Sequence, residues 1–203
     1  MLKISSYEGK AKEEALSKCM SELNVSESDL YIKEKETESG LFKSKKVSID
    51  VITHEQVLEY VRNFIKELGK NIGLDINSEV NYSDDTIKVM LASDNNAILI
   101  GKDGRTLFAI QTLIRQAVIA NTGFNVRVQV DASGYREKKE QYLEQDVREI
   151  ARQVSKTGVE AKLDPMNSYD RRIVHNVVSD FEDLTSESFG ETPERYVVIS
   201  KKD

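Results

Sequence analysis

The sequence of 203 residues predicts an α+β fold composed of three small domains. Segments with apolar residues at helical spacing are interspersed with short segments in which apolar and polar residues alternate, as in half-buried strands. The chain is 39% hydrophobic and 32% charged, which suits several small cores with a large surface. From the changes in periodicity we place the domains at residues 1–52, 53–133 and 134–203.

The first domain is predicted to have the order βαββ. Strands are expected at residues 2–7, 30–34 and 46–52. The third strand carries Val47, Ile49 and Val51 on one face, which is typical of a half-buried strand. The helix between the first two strands has apolar residues at helical spacing, namely Ala15, Leu16, Cys19, Met20 and Leu23.

The second domain is predicted to have the order αββααβ. Its first helix follows Thr53, a good N-cap residue, and is broken by Gly69 and Gly73. Two strands at residues 76–82 and 86–92 are joined by a polar turn. A short apolar stretch then enters a loop with two glycines, a long helix follows, and a strand at residues 124–130 closes the domain.

The third domain is predicted to pack helices on a small sheet. A charge-rich helix is expected from about residue 134 to residue 154, a second near residues 169–184, and a final strand at residues 196–200. Asn167, with Asp170 three residues later, is a capping pair for the second helix.

Cysteine usage and hydropathy exclude several classes of protein. The single cysteine, Cys19, rules out an intramolecular disulfide and indicates an intracellular chain with a buried or half-buried thiol. The N-terminus lacks the apolar core of a secretory signal, and no stretch approaches the roughly 18 apolar residues of a membrane span. We therefore expect a soluble cytoplasmic protein.

Metal, cofactor and catalytic sites are not predicted. Two histidines and one cysteine do not make a metal site, and a capping or surface role suffices for His54. The sequence contains no G-x-x-x-x-G-K-[ST] motif, which argues against nucleotide hydrolysis. It also contains no G-x-G-x-x-G motif after a strand, which argues against dinucleotide binding. The net charge of -6 argues against indiscriminate binding to polyanions, although local basic patches can still bind phosphate.

The first chemical signal is the GKDG loop, Gly101-Lys102-Asp103-Gly104. Its glycines let the backbone turn sharply and let a sugar-phosphate chain approach. The N–H groups at the start of the next helix favour phosphate, and Lys102 and Arg105 add positive charge. Alone, such a loop is usually only a turn. Its αββααβ setting matches the KH fold, in which this loop clamps about four nucleotides of backbone.

The second signal is the sequence Arg171-Arg172-Ile173-Val174-His175. Arg171 and His175 are four residues apart and share one helix face, at the border of its apolar side or in solvent. Spacing alone favours a solvated helix face with a structural histidine over a nucleic-acid contact. His175 has no nucleophile or acid placed by the sequence to make it a general base. The preceding helix adds a basic stripe, Arg148, Arg152 and Lys156.

Three segments together carry a family resemblance. They are residues 99–107, residues 130–136 and residues 164–175. In this order they make the chain resemble the bacterial Jag proteins, also called SpoIIIJ-associated proteins, over nearly its whole length. These proteins join an N-terminal Jag domain, a type II KH domain and an R-3-H domain. The chain departs from them at Ser39-Gly40-Leu41-Phe42-Lys43 and lacks the long charged linker that many relatives have before the KH domain.

The resemblance implies a cytoplasmic RNA-binding protein linked to cell division, envelope or sporulation control. In it the GKDG loop would hold the RNA backbone, and Arg171 and His175 would form a second contact. Tyr135 and Arg136 match a family motif to which no role is assigned. The RNA-binding residues we expect are Ile100, Gly101, Lys102, Asp103, Gly104, Arg105, Arg136, Arg148, Arg152, Arg171, Arg172 and His175.

The function predicted is non-enzymatic binding of single-stranded RNA, with single-stranded DNA as the alternative ligand. A second copy of the chain, or a small KH-domain protein, is the expected protein partner, and association with a membrane insertase is expected without membrane insertion. The main rival is a protein-interaction adaptor, since the strands of the first domain have edges that can pair with another chain. An enzyme acting on nucleic acid is disfavoured because the sequence shows no acid cluster.

Overall fold

The computed structural model describes residues 2–36 and 46–202. It forms two compact units, Met1–Ser133 and Gly134–Asp203, which are described separately below. Helices and small sheets occur in both units, so the predicted α+β class is confirmed. The division into three domains stays a prediction, because residues 1–52 and 53–133 both lie in the first unit.

The first unit begins with the predicted βαββ order. Its elements are β1 Ser5–Gly9, α1 Lys12–Leu23, β2 Leu30–Glu36 and β3 Val47–Thr53. The strands form an antiparallel sheet in the order β1-β3-β2. Cys19 is buried in the core formed with α1, as predicted, and burial raises the pKa of its thiol. Residues 39–43, where the chain departs from the Jag proteins, lie outside the described residues.

The first unit continues with the predicted αββααβ order. Its elements are α2 His54–Ile72, β4 Asn77–Ser83, β5 Thr86–Ala92, α3 Asn96–Ile100, α4 Arg105–Thr122 and β6 Arg127–Ala132. In the sheet β4-β5-β6, β4 and β5 pair antiparallel while β5 and β6 pair parallel. Parallel neighbours need a crossover connection. Helices α3 and α4 supply it and carry the GKDG loop between them.

The two parts of the first unit meet where β3 passes directly into α2. Thr53 is the N-cap of α2, because its hydroxyl accepts a hydrogen bond from the Gln56 N–H at 3.2 Å. The next residue, His54, for which a capping or surface role was expected, is half-buried beside two tyrosines. Its ring lies 3.7 Å from that of Tyr82 and 4.5 Å from that of Tyr31, centroid to centroid, and burial lowers its pKa.

The second unit packs two helices on a three-stranded antiparallel sheet. Its elements are α5 Tyr135–Thr157, β7 Ala161–Lys162, α6 Ser168–Ser179, β8 Leu184–Phe189 and β9 Tyr196–Lys201, with the sheet order β7-β9-β8. The core contains Val147 and Ala151 from α5, Val174 and Val178 from α6, and the sheet residue Ile199.

The second predicted helix of this unit was too long, and the strand β8 was missed. Helix α6 ends at Ser179, where the N–H groups of Asp180 and Phe181 bond to carbonyls only three residues back. Such bonds tighten and close the last turn of a helix. Leu184, the expected helix end, begins β8 opposite Lys201 and is buried in the core.

Candidate nucleic-acid interface

The GKDG loop is a tight turn between α3 and α4. Gly101 and Gly104 have positive φ angles of 69° and 81°, and Asp103 lies between them at 55°. The Gly101 N–H donates to the Ala97 carbonyl at 2.8 Å, which closes α3. Helix α4 then begins at Arg105. The left-handed backbone explains glycine at both ends of the loop, as the sequence pattern indicated.

Gly101 is also required by packing within the chain. A Cβ atom at this position would lie 2.1 Å from the Thr106 hydroxyl oxygen and 3.0 Å from the Thr106 backbone nitrogen. From the sequence, the glycines are expected to allow a sharp turn and the approach of a sugar-phosphate chain. At Gly101 the structure adds an internal reason, since the loop folds back against the first turn of α4.

The charged side chains of the loop face solvent. Lys102, Asp103 and Arg105 are exposed, while Ile100 is half-buried. Apolar side chains lie on both sides of the loop in sequence, with Ile98 49% exposed in α3 and Phe108 65% exposed in α4. The region therefore offers a cation, a sharply turned backbone and exposed apolar surface, which together suit the phosphates and bases of a single strand.

Arg171 and His175 lie together on α6 and face β8. The His175 Nδ1 atom lies 2.7 Å from the Ser186 hydroxyl, and its Nε2 atom lies 3.0 Å from the Ser188 hydroxyl. Arg171 Nη1 donates to the same Ser188 hydroxyl at 3.1 Å. We call these four residues the Arg-His-Ser cluster. Both α6 side chains are half-buried, at the border of the apolar face.

The positive charge of the Arg-His-Ser cluster comes mainly from Arg171. Burial lowers the pKa of the His175 imidazole, and the adjacent Arg171 charge lowers it further. The Arg171 Nε atom is buried and bonds to no described residue. A guanidinium beside hydroxyl groups and an imidazole suits an anionic oxygen as a ligand.

Ser186 and Ser188 were not predicted as site residues from the sequence. They are hydrogen-bonded to the two residues of the Arg-x-x-x-His pattern, but lie in a strand that the periodicity did not reveal. Their identity alone gives no signal, because serine is common in loops and on surfaces.

The start of α6 is fixed by polar contacts. The Asn167 side-chain oxygen accepts from the N–H groups of Tyr169 and Asp170 at 2.9 and 3.0 Å, so the predicted N-cap is confirmed. Asp170 also forms an ion pair with Lys139 of α5, with 2.7 Å between the nitrogen and oxygen. These contacts set the position of the helix turn that carries Arg171.

The remaining predicted basic residues differ in their surroundings. Arg136 and Arg172 are exposed. Arg148 lies 2.8 Å from an Asp180 carboxylate oxygen, and Arg152 lies 3.7 Å from one of Glu149. Since these carboxylates compete with phosphate, the RNA contacts of Arg148 and Arg152 stay predictions.

No metal centre or membrane-spanning helix emerges from the described part of the chain. Residues 2–36 and 46–202 contain no group of three or more histidine, cysteine or acidic side chains arranged to hold a metal ion. Within the same ranges, no helix is both long and apolar enough to cross a bilayer.

Comparison with known proteins matches both modules. Residues 58–130 match the KhpA/KhpB KH domain family, and residues 141–201 match the R-3-H domain family. The chain is also 33% identical over 198 residues to "RNA-binding protein KhpB" of Clostridium symbiosum, covering 95% of this chain and 89% of the relative. The chain belongs to the KhpB family.

Two further KhpB relatives support the assignment to this family. The protein of Bacillus subtilis (strain 168) is 30% identical over 165 residues, covering 80% of this chain and 79% of the relative. The protein of Lactiplantibacillus plantarum is 32% identical over 142 residues, which are 70% of this chain and 43% of the relative. The resemblance to the Jag proteins is thereby confirmed, since the KhpB proteins are that family.

Proposed function

We propose that this KhpB-family protein is a non-enzymatic RNA-binding regulator that holds single-stranded RNA at the GKDG loop. The observation that carries the proposal is the geometry of this loop, with Lys102 exposed on a sharply turned backbone at the start of α4. Phosphate oxygens are attracted to helix N-termini and to an exposed cation. The curated relatives are themselves named RNA-binding proteins.

The Arg-His-Ser cluster is the second RNA contact in this proposal. Arg171 provides a permanent charge, and hydroxyl and imidazole groups beside it can hydrogen-bond to phosphate oxygens. Neither contact identifies a base. Any sequence preference therefore comes from surfaces beside these contacts, such as the exposed Ile98 and Phe108 near the loop.

The wider biological role rests on the family resemblance. We place the protein in the cytoplasm as a post-transcriptional regulator linked to cell division, envelope or sporulation control. A second copy of the chain, a small KH-domain protein and a membrane insertase stay predicted partners. An adaptor role without RNA binding would leave the Arg-His-Ser cluster and the charged GKDG loop without a ligand.

The proposal is tested by measuring the affinity of the full chain for single-stranded RNA, single-stranded DNA and duplex at two salt concentrations. We expect binding to the single strands in preference to duplex. Affinity should fall as salt rises, because each phosphate contact releases counterions. The variant Arg171→Ala/His175→Ala should bind more weakly and with a smaller salt dependence. An affinity for single strands that is absent, or that does not change with salt, would contradict the proposal.

A further inference from the structure

We infer that Phe189, on the outer face of the sheet β7-β9-β8, stacks on an unpaired base of the RNA strand held by the Arg-His-Ser cluster. The inference deepens the proposed function and rests on it. It assigns to the second unit a base-binding subsite in addition to its phosphate contact.

The two faces of this sheet differ in what they carry. Ser186 and Ser188 of β8 face α6, where they contact His175, and Leu184 on the same side is buried in the core. Side chains alternate between faces along a strand. Phe189 therefore lies on the opposite, outer face, together with Tyr196, its direct partner on β9.

The outer face presents an aromatic pair with a cation beside it. The Phe189 and Tyr196 ring centroids are 6.1 Å apart, with the ring planes 30° from parallel. Lys162 of β7 places its Nζ atom 4.2 Å from the centre of the Tyr196 ring. Phe189 is 43% exposed, so part of its ring is open to a ligand. Aromatic rings next to a cation are the usual means by which proteins stack single-stranded bases.

The Phe189 ring and the Arg-His-Ser cluster are carried by neighbouring residues of β8, on opposite faces of the sheet. Ser188 and Phe189 are consecutive residues on β8, about 3.3 Å apart along the strand. Because β8 is an edge strand of the sheet, a ligand can pass from one face to the other around its side. A nucleotide whose phosphate lies by Arg171 and Ser188 can thus place its base over Phe189.

The acidic side chains near Phe189 favour a neutral base over a phosphate at this ring, while Lys162 and the exposed Arg195 lie on the Tyr196 side of the pair. Glu187 lies on the same face as Phe189, since it is two residues away on β8. Glu191 and Glu194 follow in the turn to β9, and both are exposed. Glu187 on this face, with Glu191 and Glu194 in the adjoining turn, disfavours a phosphate or an acidic peptide beside the Phe189 ring. A neutral base stacks without that penalty, and duplex is excluded because its bases are already stacked on each other.

Fluorescence gives a direct test, because the chain contains no tryptophan. The variant Phe189→Trp creates a single indole at the proposed subsite. Tyr142→Trp places the matched control on α5, where Tyr142 is 67% exposed. We expect a single-stranded RNA oligonucleotide to quench the indole at position 189 and not at position 142. Inorganic polyphosphate, which has charge but no bases, should quench neither.

Affinity measurements separate this inference from the proposed function. Phe189→Leu keeps an apolar side chain but removes the ring, and should weaken RNA binding about fivefold or more. The slope of affinity against salt should not change, whereas Arg171→Ala should reduce it. The control Tyr142→Leu should bind like the parent.

Two outcomes would overturn the inference. If the parent binds RNA and Arg171→Ala weakens it, but Phe189→Leu binds like the parent and the indole at position 189 is not quenched, the stacking subsite is wrong and the proposed function stands. If the parent binds no RNA, both are wrong.

Discussion

At the scale of single residues, the second unit combines a permanent charge with a titratable neighbour. Arg171 and His175 share the Ser188 hydroxyl, so their protonation and hydrogen bonds are linked. Burial and the Arg171 charge both favour the neutral imidazole. The cluster therefore holds one positive charge at neutral pH, on Arg171. A bound phosphate would favour a second positive charge, on the His175 imidazole.

We predict that His175 titrates below its ordinary pKa of 6.5. The unfolded chain then binds more protons than the folded chain as the pH falls. The contribution of His175 to stability is thus complete above pH 6.5 and is lost below it. Proton NMR can follow both imidazoles, with His54→Gln used to assign them. Single-stranded RNA should raise the His175 midpoint. A midpoint at or above 6.5 in the free protein would contradict the prediction.

Gly101→Ala is predicted to destabilise the first unit by about 2–4 kcal/mol, through left-handed strain and overpacking together. Its φ angle is 69°, and the new methyl group would meet Thr106. Gly73→Ala is the matched control, because Gly73 has a φ of 72° and an added methyl group there would have no atom within 4 Å. It should cost only about 1–2 kcal/mol. Urea unfolding of both variants measures the difference, and equal losses would contradict the role of Thr106.

At the scale of elements, helix α6 positions the Arg-His-Ser cluster through its first turn. Asn167 caps the helix, and its Nδ2 atom donates to Asp170 at 3.0 Å. Asp170 is tied in turn to Lys139 of α5. Any loosening of this turn would move Arg171, which lies four residues after the cap.

Asn167→Ala is predicted to lower the free energy of unfolding of the second unit by about 1 kcal/mol, since two backbone N–H groups lose their acceptor. Asn167→Ser retains an acceptor oxygen and should lose much less. Denaturant unfolding followed by circular dichroism measures both variants. If the Asn167→Ala and Asn167→Ser variants are equally stable, the cap does not stabilise α6.

Some elements could be predicted from the sequence, and others could not. Strand β5 is found where it was predicted, at Thr86–Ala92, because its buried residues alternate with less buried ones. Strand β8 was missed because its inward positions after Leu184 are the serines 186 and 188, which contact a histidine and not an apolar core. Strand β7 has only two residues, too few for any periodicity.

The candidate site, like the fold, could be predicted only in part from the sequence. The GKDG loop and the Arg-x-x-x-His pattern could be found because their spacing is local in sequence. The serine partners of His175 are 11 and 13 residues away, and the stacking of His54 on Tyr82 joins residues 28 positions apart. Contacts of this kind depend on tertiary packing and leave no local pattern.

At the scale of the whole molecule, an acidic chain is proposed to bind a polyanion. The net charge is -6, so general attraction cannot provide the affinity. Binding instead requires local sites, one at the GKDG loop in the first unit and one at Arg171 in the second. A substitution at such a site should weaken RNA binding far more than the same change of charge elsewhere on the surface.

The most direct test is therefore the affinity of single-stranded RNA for Lys102→Asp compared with Lys66→Glu. Both variants change the net charge by two units, and both lysines are exposed. Lys66, however, lies on α2 and is not part of the GKDG loop. We predict that Lys102→Asp, which places two adjacent acids against the phosphates, weakens binding about tenfold or more, while Lys66→Glu has little effect. A folded Lys102→Asp variant that binds RNA as tightly as the parent would contradict the account.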